Sequence, residues 1–194
     1  LARILGALYF INNIDDKDLV ARSRRSLIGN SVLFLVFFLS FVIRTLLADG
    51  YAVNPETGEV FMEPYKYLTN FIEMPLVLVL FLIGVVLVLF GIGKSLLKTK
   101  FDKGIWFTGI GTVLAVLALL LVAGYNNTAY YPSTNDLQSS LTLANSCSSQ
   151  FTLRVMFYVS FLVPFVLAYI FYAWRSIDIH KISEKEMKDG GHAY

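Results

Sequence analysis

The chain has 194 residues, a formal net charge of +2 and a mean hydropathy of +0.63, with 56% hydrophobic and only 15% charged residues. Soluble domains carry about 25% charged residues, so this composition excludes an ordinary water-exposed globule. The single cysteine, Cys147, excludes an internal disulfide and a cysteine-based metal site.

Residues 1–14 are apolar but too short to span a membrane, and neither a preceding basic region nor a small-residue cleavage site marks them as a signal peptide. They read as the end of a helix, and a chain opening on Leu1 reads as a segment of something longer. Arg3 lies about 18 Å of helix before Asp15, at 1.5 Å per residue. That spacing predicts a mid-depth position and a partner elsewhere in the chain or in another subunit.

Four longer blocks follow, at 27–48, 71–92, 104–125 and 153–174, the last uncharged from Val155 onward. Each is near the about 20 residues of helix that cross a ~30 Å hydrocarbon core. Backbone groups in lipid must be hydrogen-bonded internally, which leaves helices or a closed barrel. Residues 77–90 are apolar on every side, unlike barrel strands, which alternate. The predicted fold is an all-α integral membrane helical bundle, one transmembrane domain over 1–194 with four complete transmembrane helices plus the end of a fifth. Within it, Gly111 and Ala115 form a small-xxx-small pair that admits a neighbouring helix. Pro164 predicts a kink. In the tail, residues 175–194, Ser183 and Glu186 match a capping box.

The connections alternate in charge. Residues 12–26 hold Lys17, Arg22, Arg24 and Arg25; residues 94–103 hold Lys94, Lys98, Lys100 and Lys103; the tail holds Arg175, Lys181, Lys185 and Lys188. By contrast, 49–70 sets Lys66 against Glu56, Glu59 and Glu63, and 126–150 has neither Lys nor Arg. The positive-inside rule then predicts that the basic connections and the C-terminus are cytoplasmic and the two long polar loops face outward. Trp106, Tyr125, Tyr130, Tyr131, Tyr172 and Trp174 cluster where an interfacial aromatic belt belongs.

Candidates for chemistry are few. Haem iron needs an axial His, Met, Cys or Tyr; the histidines, His180 and His192, are both in the tail, and Met74 and Met156 sit at helix ends. Charged residues at the edges of spans are costly and default to functional hypotheses. Arg44, Glu73 and Arg154 all lie near outer helix ends. Either they snorkel to the interface or pair with one another, or they form a polar site at the outer face, at a subunit contact or a quinol head group. Gly91-x-Gly93-x-Ser95 is not a phosphate loop, because no Gly-Lys-Ser/Thr follows in frame. The lysines of 94–103 suit a surface patch on anionic lipid. Asn126-Asn127-Thr128 matches a glycosylation sequon, a motif that often arises by chance. No Ser-His-Asp set, intramembrane carboxylate pair or metal-ligand spacing is present, so a reactive cofactor would be held by a partner.

Several stretches carry a resemblance. Gly124-Tyr-Asn-Asn-Thr-Ala-Tyr-Tyr-Pro-Ser133, then Ser140-Leu-Thr-Leu143, then Ser148-Ser-Gln-Phe-Thr-Leu153 resemble the last outer loop of subunit II of the cytochrome bd quinol oxidases. Val163-Pro164, Asp49-Gly-Tyr51, Gly6-Ala-Leu-Tyr9 and the ending Lys181-Ile-Ser-Glu-Lys-Glu186 are similar too. In shared order they cover nearly the whole chain, as the C-terminal half of such a subunit. The motif residues are Asp49, Gly50, Tyr51, Pro132, Ser133, Leu141 and Thr142.

The resemblance implies an accessory, haem-free subunit of a respiratory quinol:oxygen oxidoreductase in the bacterial inner membrane. Haem b and haem d would sit in the partner, subunit I, with quinol as substrate of the whole complex and turnover building a proton gradient. It implies no catalytic, cofactor-binding or metal-binding residue in this segment. The implied partners are subunit I, membrane lipid and quinone, with no nucleic acid. Proton-path residues of the family belong to its N-terminal half and are not carried over. The alternatives are part of a secondary transporter, which would require paired broken helices or buried midplane charges, and a purely structural anchor.

Overall fold

A computed structural model describes residues 1–98 and 101–177, together with the backbone of Ile182–Ser183. His180, His192, Lys100, Glu186 and, Ile182–Ser183 apart, the rest of the tail beyond Ile177 lie outside the described residues. The helices are α1 (Ala2–Asn13), α2 (Lys17–Leu47), α3 (Lys66–Glu73), α4 (Pro75–Leu97), α5 (Gly104–Gly124), α6 (Gln150–Ser160) and α7 (Val163–Ile177). Two short sheets join them: β1 (Ile14–Asp15) pairs in parallel with β4 (Ile182–Ser183), and β2 (Gly50–Val53) pairs antiparallel with β3 (Val60–Glu63).

Four helical segments have the length and hydropathy to cross a membrane: Lys17–Leu47, Pro75–Leu97, Gly104–Gly124 and Gln150–Ser176. The chain is therefore an all-α integral membrane helical bundle. Its exposed residues agree with a lipid solvent. Phe37, Leu76, Leu120 and Phe165 are at least 66% exposed, a surface that would be an aggregation liability in water and is ordinary in hydrocarbon.

Helix boundaries depart from the apolar blocks for identifiable reasons. Asp16 caps α2, its carboxylate accepting from the Leu19 amide at 2.7 Å, so the helix begins ten residues before the block at 27–48. At 31 residues α2 is about 46 Å long, and its first ten residues, with Arg22, Arg24 and Arg25, project beyond a ~30 Å core. Helix α4 starts at Pro75 rather than near residue 71. Proline lacks an N–H and disfavours helical backbone in the residue before it, so Met74 takes φ −114°, ψ 71° and separates α3 from α4. The block at 153–174 is one span made of two helices. Pro164 cannot donate to the carbonyl four residues back; the helix tightens at Phe161 and Leu162, whose amides reach Tyr158 and Val159, and resumes as α7. Block 104–125 is α5 almost residue for residue.

Helix α1 is short yet central. Ile4, Ala7, Leu8 and Ile11 recur at helical spacing, and they form the main buried cluster with Leu27, Val88 and Ile92. Helices α4 and α5 make the closest crossing. A Cβ placed on Gly84 would fall 2.6 Å from the Ala115 nitrogen, and one on Gly111 would fall 2.6 Å from the Gly84 carbonyl oxygen. Further along the same seam, Gly91 and Gly104 are each 2.8 Å, by the same test, from the other's carbonyl oxygen. Gly111 and Ala115 thus do lie on a helix contact, and their counterpart is the Gly84, Val88, Gly91 stripe of α4. Neighbouring Gly93 and Gly109 face open space.

The threading follows from the pairings. β1 and β4 bring the α1–α2 connection and the segment after α7 to one end of the bundle. At the opposite end the β2–β3 hairpin meets residues 127–129.

Candidate functional site

The end formed by residues 48–74 and 125–149 is a folded cap, although both segments read in the sequence as polar loops. Its first half is the hairpin, in register Gly50↔Glu63 to Val53↔Val60. The hairpin turn is closed by Asn54, whose side chain accepts from the Glu56 amide at 2.9 Å, and by Gly58 at φ +74°, a left-handed conformation that glycine adopts freely.

The second half docks on the first. The Val53 amide donates to the Asn127 carbonyl at 2.8 Å, and the Ala129 amide donates to the Tyr51 carbonyl at 2.9 Å. Asn126 and Asn127 both have positive φ, the left-handed region that asparagine tolerates best among non-glycine residues; the two together turn the chain from α5 onto the hairpin. Gln138 clamps the far edge. Its side chain accepts from the Val60 amide and donates to the Val60 carbonyl, each at 2.9 Å.

The motif residues build this cap. Gly50 is required by packing, since a Cβ there would fall 2.5 Å from Lys66 Cβ. Tyr51 supplies the carbonyl that receives Ala129. Leu141 pairs with Tyr131, and the Ser133 amide donates to the Ser140 hydroxyl at 3.0 Å. The Thr142 amide donates to the Asn145 side chain at 2.8 Å, and the Asn145 amide returns to the Thr142 hydroxyl at 3.2 Å. Asp49 and Pro132 are exposed on the cap surface. Between the hairpin turn and the second loop lies a cavity of about 500 Å3, lined by Asn54, Asn126, Thr128, Thr142 and Asn145 among others.

A polar hub ties the cap to the bundle. Asn70 is fully buried. Its amide donates to the Val122 carbonyl at 2.9 Å and to the Thr128 hydroxyl at 2.8 Å, and its carbonyl accepts from Asn126 at 3.1 Å. The Asn126 amide also donates to the Glu73 carboxylate. Beside the hub, buried Lys66 pairs with Glu63 at 3.2 Å. Tyr67 is held above the ordinary phenol pKa by burial and by the neighbouring Tyr51, so it stays a neutral O–H well past physiological pH.

Arg44, Glu73 and Arg154 are not brought together. Glu73 meets Asn126; Arg44, in the last turn of α2, and Arg154, on α6, are exposed, and none of the three pairs with another. The side chains of α6 are exposed throughout. Asn70 and Gln138 carry more of the site than the sequence suggested. The one available signal for Asn70 was an amide at the mouth of an apolar block; Gln138 had none.

A second cavity, of about 470 Å3, lies within the membrane-spanning part and is wholly apolar, lined by Phe34, Phe38, Val85, Val88, Ala115 and neighbours. None of its lining side chains can ligate iron. Met74 caps α3, and Met156 is exposed on α6.

These features define a multi-pass membrane protein whose ordered polar chemistry is concentrated in a cap at one end of a glycine-packed bundle. The sequence profile of the cytochrome bd terminal oxidase subunit II family matches residues 1–177, and the chain belongs to that family. It is 32% identical over 136 residues to the cytochrome bd-I ubiquinol oxidase subunit 2 of Escherichia coli K12, and equally to those of strains O6:H1 and O157:H7. Each match covers 69% of this chain and 34% of the relative, so the chain spans about a third of the length of the curated relatives it matches.

Proposed function

We propose that this chain is the haem-free, accessory part of a respiratory cytochrome bd-type quinol:oxygen oxidoreductase of the bacterial inner membrane, packed against the haem-bearing subunit I. Family membership over residues 1–177 carries the reading. The α6–α7 span supports it: Ala173 apart, the described side chains from Gln150 to Ser176 are exposed, so the span has a full apolar surface free for lipid or another subunit. On this reading the haems of the partner supply the electron transfer and oxygen reduction. This chain supplies a rigid apolar wall and a capped outer end, with Arg44 and Arg154 placed for lipid head groups or the subunit contact.

Purification in mild detergent is expected to co-isolate a haem-bearing subunit, with haem absorbance and oxygen consumption driven by quinol. A colourless preparation that instead moves a solute in liposomes would overturn the reading in favour of a transporter.

The capped end is the outer one and the C-terminus cytoplasmic, a reading supported by the charge alternation of the connections. Exposed Cys147, on the capped side, should react with an impermeant maleimide in intact right-side-out membranes. In a Cys147→Ser background, a cysteine at Lys98 should react only after permeabilisation. Equal labelling of both from outside would reject this orientation.

A further inference from the structure

The hairpin of α1 and α2 forms a groove of about 410 Å3 at the bundle end opposite the cap, lined by Arg3, Gly6, Phe10, Leu19, Arg22 and Ser26, with Ser23 between. The groove bears on the depth of Arg3. Arg3 shares the groove with Ser26, the last residue before the apolar block of α2, and the ten residues of α2 preceding that block project from the hydrocarbon. With the hydrocarbon edge taken at the start of that block, Arg3 falls at the head-group boundary. Arg22 is one helical turn farther out, about 6 Å of rise from Ser26.

Neither Arg3 nor Arg22 has an ion-pair or hydrogen-bond partner among the described residues, and both are exposed into the groove. The nearest acids in sequence do not supply one: Asp16 is engaged in capping α2, and Asp18 forms no ion pair with Arg22. Two guanidinium groups near the membrane boundary, with no counter-charge among the described residues, suit an anion. Planar N–H forks match phosphate oxygens in geometry as well as charge. Ser23 and Ser26 add hydroxyls, and Phe10, Leu19 and the open side of Gly6 continue the wall as apolar surface.

We propose that this groove binds the phosphate of an anionic glycerophospholipid, with Arg3 and Arg22 on the phosphate and the glycerol and acyl stems against Phe10 and Leu19. A lipid fits better than free phosphate because the charged end opens directly onto apolar wall at head-group depth.

The test uses the full-length subunit in its purified, delipidated complex, titrated with phosphatidylglycerol in mixed micelles and followed by native mass spectrometry and melting temperature. The unaltered complex is expected to retain phosphatidylglycerol in preference to phosphatidylcholine and to melt higher with it. Arg3→Gln/Arg22→Gln should weaken that retention roughly tenfold or more, while Arg25→Gln, outside the groove, leaves it unchanged. Should the double variant fail to assemble, Arg22→Gln alone, in the projecting turns, gives the same readout. Equal retention by the variant and the unaltered complex would overturn the site, as it would if acids elsewhere in the complex neutralise these arginines. Equal stabilisation by inorganic phosphate would overturn the lipid assignment. None of these outcomes depends on quinol oxidation.

Discussion

Gly111→Leu is expected to be the most damaging single substitution in the membrane-spanning part, lowering the melting temperature of the purified complex by roughly 5–10 °C. The reason is steric. Already at Cβ, a side chain on Gly111 meets the Gly84 carbonyl oxygen at 2.6 Å and the Val88 nitrogen at 2.8 Å. Both are helical backbone, which cannot rotate aside, so α4 and α5 must separate along the whole Gly84–Gly91 seam. Overpacking a well-fitted contact costs about 1–3 kcal/mol, occasionally more. In lipid the loss is not returned by burial elsewhere, because helix association there rests on close packing. Gly109→Leu is the internal control. It lies on the same helix two residues away and meets nothing within 4 Å, so its melting temperature should stay within about a degree or two of the unaltered complex. An unchanged melting temperature for Gly111→Leu would remove the seam from the account of bundle stability.

Asn70→Ala should release the cap from the bundle. The substitution removes both donors to Val122 and Thr128 and the acceptor for Asn126, at a site with no exposure to water. Stranding buried polar partners costs about 1–3 kcal/mol each, so a loss of roughly 2–4 kcal/mol is expected. The signature is local as well as global. Hydrogen exchange should accelerate at Val53 and Ala129, whose amides bridge the two halves of the cap, while α4 and α5 stay protected. Exchange unchanged at Val53 and Ala129 would mean that the strand pairing holds the cap without the hub.

How far the sequence reached depended on the range of the interaction. Uninterrupted apolar runs such as 76–90 fix a helical span because lipid demands internal backbone hydrogen bonds and no barrel-like alternation is present, and α4 and α5 follow. Helix ends were less legible because they are set by single residues. Asp16 extends α2 through a polar stretch that no hydropathy block covers, and Pro75 delays α4 by severing α3. The hairpin has local turn residues, Pro55 and Gly58, between short apolar runs, but nothing local says what its strands dock on. The cap as a unit had no local signal at all, for Asn70 and Asn126 are 56 positions apart and Gln138 lies 78 from Val60. Glu73 was marked as an outer-face residue, but its partner is an amide in the following loop rather than an arginine. The helix at 1–14 was legible, but its burial was written only in the spacing of Ile4, Leu8 and Ile11, within a segment too short to span.

The union of the two outer segments has a consequence for biogenesis. The hairpin is synthesised before α4 and α5, whereas its docking strand at residues 127–129 emerges only after both have been made. Until then the Val53 amide and the Tyr51 carbonyl face water, and the far edge at Val60 waits for Gln138. Closure therefore reports that α4 and α5 have been threaded as a pair, and a chain stalled or mis-inserted between them would present an open strand edge to proteases and quality-control factors on that side of the membrane.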